Sequence, residues 1–229
     1  MNGLIFVGIL FTELILLFLF SISITKTLGR FFYSLIKNKR ITVYILSLIF
    51  LPGTIIHELS HFFTAIILFV RVGNINIFPI VEEDGIQLGS VQIEKADIIR
   101  RIIIGLAPVA TGTLIIIASL WFFRNGLFTT SSIWQTAIFL YLIFAISNTM
   151  FSSKKDLEGA LVFFVTIFTT IIILFAVLYF TNHFPSFTFV KILNSNNIID
   201  FLKKAETFML IPIGIDSLIF IISRIFKRS

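Results

Sequence analysis

LPGTIIHELSHFFTAIILF, residues 51–69, is apolar enough to sit inside a bilayer, yet it carries His57, Glu58 and His61 at its centre. An ionisable side chain at the middle of a membrane helix costs roughly 3 kcal/mol, so such residues are candidates for function before anything else. Two histidines four apart project from one face of a helix, one turn above the other, close enough to share an ion. That is zinc-ligand spacing. Glu58, next to the first histidine, stands where a carboxylate serves as general base in the H-E-x-x-H arrangement. With 3 histidines in 229 residues, a chance match is expected only about 0.001 times.

The whole chain shares the apolar character of this stretch. Its mean hydropathy is +1.04, 57% of residues are hydrophobic and 13% are charged, which excludes an ordinary soluble domain. Runs near the roughly 20 residues that cross a bilayer as helix are expected at 3–25, 42–70, 102–123, 133–150, 160–181 and 207–226. The first is read as a retained helix and not a signal peptide, because no basic segment precedes it and no small-residue cleavage pattern follows. The absence of cysteine excludes disulfides, thiolate metal ligands and a thiol nucleophile. The net charge of +6 lies at helix ends, as in membrane proteins generally, and points to no nucleic acid. The segment 26–40 is basic with no acidic residue, which favours the cytoplasm, but six helices divide the basic residues evenly and leave orientation open.

Between the second and third helices the pattern changes. In GNINIFPIVEEDGIQLGSVQIEK two β-type runs, 75–81 and 86–93, flank Glu82, Glu83, Asp84 and Gly85, and an Asp-Gly pair there signals a β-hairpin. The insert is too short for a domain of its own. Two further polar breaks are expected, at 147–160 and at 181–206, the second a loop with one short amphipathic helix.

A catalytic zinc site usually takes three protein ligands. The residues leave four candidates for the third: Glu13, Asp156, His183 and Asp216. The burial of Asp216 in an apolar run favours it on solvation grounds, while Lys154 and Lys155 make Asp156 a candidate for simple charge pairing.

A long apolar helix bearing HELSH, a hairpin after it, a helix opened by GLAPVATG (105–112), and a polar break with Asn148 and Asp156 together resemble the site-2 protease family of intramembrane zinc metalloproteases, over about residues 42–181. The second metal motif of that family resembles N-x-x-P-x-P-x-L-D-G. Asn148 and Asp156 keep its spacing of eight, while Phe151, Ser153, Lys155 and Leu157 depart from it. The resemblance implies Asp156 as the third zinc ligand and Asn148 as a contact to the substrate backbone or the oxyanion.

The expectation is therefore an all-α polytopic membrane protein of about six transmembrane helices with a short β-hairpin after the zinc-motif helix. Residues 1–41 form an N-terminal helix and basic loop, 42–181 a metalloprotease-like core, and 182–229 a loop and C-terminal helix. The expected activity is zinc-dependent hydrolysis of peptide bonds in membrane-embedded or membrane-proximal protein substrates, with Zn2+ on His57, His61 and Asp156, Glu58 as base and Asn148 assisting. The expected location is a prokaryotic cell membrane, as a multi-pass protein. Two alternatives remain open, a metal-dependent transporter or channel and an inactive scaffold, and Glu58 discriminates, since a transit site needs no base beside its first histidine.

Overall fold

A computed structural model describes residues 3–76, 80–82, 85–87, 89–124, 132–151, 169, 173, 177, 180 and 194–226. Within them the chain is largely helical: α1 (Gly3–Ile36), α2 (Lys39–Ile67), α3 (Ile98–Arg124), α4 (Ile133–Thr149) and α5 (Asn196–Phe226). Four of these, α1, α2, α3 and α5, are long and apolar enough to cross a membrane, and α4 is apolar but only 17 residues long. The expected span at 160–181 lies almost wholly outside the described residues. Large apolar side chains such as Leu19, Leu48, Ile67, Leu114 and Leu218 face outward, as a lipid environment favours.

Two helices start or end well away from their expected positions. α1 runs 34 residues to Ile36, so most of the expected basic loop is helix; Lys, Arg, Leu and Phe continue a helix readily and no proline stops it. At 1.5 Å per residue it extends about 51 Å, beyond a hydrocarbon core of about 30 Å. Only Lys37, in the left-handed region at φ 55, and Asn38 separate it from α2. The Asn38 side chain accepts from the N–H groups of Arg40 and Ile41, capping α2. α5 begins at Asn196, eleven residues before the expected start. The polar residues Asp200, Lys203, Lys204 and Glu206 interrupt the apolar run that marks a span, but they do not break a helix.

α2 sits at the centre, packed on α1, α3 and α4, while α1 lies chiefly along α5. Its buried side is a stripe: Val43, Leu46, Phe50, Gly53, Thr54, His57, Glu58, His61 and Ala65, the 3–4 residue recurrence of one helix face. The HELSH motif therefore points inward. α2 ends in a Schellman pattern, with Val70 N–H donating to Ala65 O at 2.8 Å, Phe69 N–H to Ile66 O at 2.9 Å, and Phe69 at φ 57. Val70 and Ala65 then pack with Ile104 of α3.

The expected hairpin is present as β1 (Val72–Asn76), β2 (Ile80–Glu82), β3 (Gly85–Gln87) and β4 (Ser90–Ile93). β2 pairs antiparallel with β3, Glu82 opposite Gly85, and β1 with β4, Val72 opposite Ile93 and Asn76 opposite Ser90. The hairpin folds back along α2. Gly89 lies against Thr54 and Glu58, nine residues before the end of α2 and so about 13 Å down its axis. Non-helical backbone at such depth is tolerated only where protein buries it or it lines a watery cavity.

Candidate metal centre

His57, Glu58 and His61 are 2%, 5% and 6% exposed. The two imidazoles stand edge to face, ring centroids 4.8 Å apart, and their Nε2 atoms approach to 3.2 Å. His61 Nδ1 lies 2.9 Å from the backbone oxygen of Ile104. A carbonyl only accepts, so Nδ1 of His61 carries the proton and, in the neutral ring, its Nε2 presents a lone pair. Two nitrogens bound to one tetrahedral zinc at about 2.05 Å stand about 3.3 Å apart. The observed separation fits that arrangement, and it also suits one ring donating to the other. A ring N–H anchored on a carbonyl is the usual outer support of a metal-ligating histidine.

The neighbouring elements approach α2 closely. A Cβ on Gly53 would collide with Thr149 Oγ1 and the Ala145 carbonyl of α4, so the backbones of α2 and α4 are nearly in contact one turn before His57. A Cβ on Gly89 would come within 2.7 Å of Glu58 Oε1 and 2.9 Å of Thr54 Cγ2. The hairpin thus lies over the carboxylate with no side chain between them. Ser60 Oγ donates to His57 O at 2.6 Å, closing the turn between the histidines.

Asn148, on α4, is 3% exposed. Its Nδ2 donates to the Phe144 carbonyl at 3.0 Å and to Asp216 Oδ1 at 2.8 Å. Both amide hydrogens are engaged, and Oδ1 has no hydrogen-bond partner among the described residues. Ser21 of α1 donates to the Asn148 carbonyl at 2.7 Å. These bonds join α1, α4 and α5 around one buried amide.

Among the described residues no three His, Cys, Asp or Glu side chains are grouped to hold an ion. Of the four candidates for a third ligand, Asp216 is fully buried and bonded to Asn148, and Glu13 is 4% exposed with neither carboxylate oxygen hydrogen-bonded among the described residues. Neither joins the histidine pair. Asp156 and His183 lie outside the described residues.

Three features of the site were not read from the sequence: the Ile104 carbonyl, the Asn148–Asp216 bond and the approach of Gly89. Gly89 carried a faint signal, a glycine in a β-type run, which marks a bulge or a close approach. The other two depend on partners 43 and 68 residues away. No family model, curated protein or solved structure matches the chain.

Proposed function

We propose that this chain is an intramembrane zinc metalloprotease of the site-2 protease type, hydrolysing peptide bonds of membrane-embedded or membrane-proximal proteins. One observation carries the reading: two buried histidine Nε2 atoms 3.2 Å apart, one ring anchored through Nδ1, with a buried glutamate directly after the first histidine. His57 and His61 hold the ion through Nε2, and the resemblance adds Asp156. When bound, zinc polarises a carbonyl and makes water acidic enough to attack near neutral pH.

Glu58 takes the proton from the attacking water and delivers it to the leaving amine nitrogen as the carbon–nitrogen bond breaks. Of the two roles implied for Asn148, the hydrogen bonds favour one. With both Nδ2 hydrogens engaged, the side chain offers Oδ1, which accepts from a substrate backbone N–H and does not stabilise an oxyanion. A substrate helix must unwind to expose its peptide bond. β3 and β4 of the hairpin then offer strand edges, since β1–β4 and β2–β3 are each two-stranded among the described residues.

The test is metal analysis and a cleavage assay on detergent-purified protein. Wild type and Glu58→Gln should each hold about one zinc per chain, and only wild type should cleave. Cleavage by Glu58→Gln at the wild-type rate removes the base, and full zinc retention in His57→Ala, His61→Ala removes the site.

A further inference from the structure

Proline inside a helix lacks the N–H that would bond the carbonyl four residues earlier. α3 contains one such residue, Pro108, fully buried, and four residues before it is Ile104, whose oxygen receives His61 Nδ1. The single carbonyl of α3 deprived of its helical donor by Pro108 is therefore the one that holds the histidine. The Ile104 side chain is 4% exposed and packs with Ala65 and Val70 at the end of α2, which fixes the carbonyl in register with His61, one turn before Ala65.

We propose that Pro108 is a positioning residue for the metal centre: by withholding an N–H it keeps the Ile104 carbonyl open to the Nδ1–H of His61, and so holds His61 in the tautomer that presents Nε2 beside Nε2 of His57. The inference rests on the zinc reading for its purpose but not for its chemistry. Without the proline, the N–H of residue 108 draws the carbonyl back along the helix axis and competes for its lone pairs. His61 then gains freedom to put its proton on Nε2, where it blocks ligation. Loss of such an outer-shell partner typically weakens metal binding on the order of 10–100-fold.

The experiment compares wild type, Pro108→Ala, and a chain with the hydroxy-acid analogue of alanine at 108, whose ester linkage lacks an N–H as proline does. Pro212→Ala, in α5, controls for loss of a buried helical proline as such. Nitrogen-15 spectra of labelled imidazole in zinc-free protein report the His61 tautomer, and chelator competition with zinc reports affinity. The expected result is the Nδ1–H tautomer in wild type, a mixed population with affinity lowered 10–100-fold in Pro108→Ala, and recovery of both in the ester and in the control. An unchanged tautomer and affinity in folded Pro108→Ala overturns the proposal, as does an ester that behaves like alanine. A tautomer change with no zinc bound by any variant overturns the metal reading and, with it, the purpose assigned to Pro108.

Discussion

Asp216 is held by a hydrogen bond inside the helix bundle. Its burial made it a candidate ligand, yet its Oδ1 accepts from Asn148 Nδ2 at 2.8 Å, on a helix that packs against α1 and α4. Replacing it with leucine leaves a buried amide donor without its acceptor, which costs about 1–3 kcal/mol. Asp216→Leu should therefore lower the unfolding midpoint in detergent, and Asp216→Asn, which can still accept, should lower it less. Zinc content separates the two aspartates: Asp156→Ala is expected to lose metal, while Asp216→Asn keeps it. Loss of zinc only in the Asp216 variant, with both proteins folded, reverses the assignment of the third ligand.

Among the elements, the hairpin is the one whose placement bears most directly on the proposed chemistry. Its passage over Glu58 requires a residue without a Cβ at 89, since an added carbon meets Oε1 at 2.7 Å and Cγ at 2.9 Å. Gly89→Ala should displace either the strand or the carboxylate, and a shift near 1 Å in a catalytic group can cost about 100-fold in rate. Zinc should remain, because the histidines proposed to hold it lie on α2. A variant with wild-type cleavage would show that the hairpin does not set the position of Glu58. Gly53 makes a different demand, because the added Cβ there meets the carbonyl of Ala145 on α4, and backbone yields less than a side chain. Gly53→Ala is expected to destabilise the fold by about 1–3 kcal/mol, read as a lower unfolding midpoint.

For the molecule as a whole, the arrangement of spans makes a directional statement. α2 separates the Lys37–Asn38 turn from the segment that leads into α3, so these should lie on opposite faces of the membrane even though the hairpin dips back along the helix. The chain has no cysteine, which makes single-cysteine labelling direct. Asn38→Cys and Lys95→Cys in sealed vesicles of uniform orientation should react with an impermeant thiol reagent from opposite sides. Reaction from the same side would show that α2 does not cross. The outward display of large apolar side chains around the buried His57, Glu58 and His61 puts a small polar cluster inside an apolar shell, where an unpaired charge is most costly.

The sequence alone located helices apolar enough to cross a membrane, the one carrying HELSH and the hairpin after it, because these follow from local composition and from strand alternation that need no distant partner. It placed α4 within a residue, where a polar break ends the apolar run, and misplaced the end of α1 and the start of α5, where charged residues continue a helix beyond the apolar run that marked it. That Asn148 donates to Asp216, that Gly89 covers Glu58 and that the carbonyl opened by Pro108 meets His61 came from the packing of the helices. A side chain's hydrogen-bond partner is set by which helices pack together and at what height, and no run of neighbouring residues encodes that height.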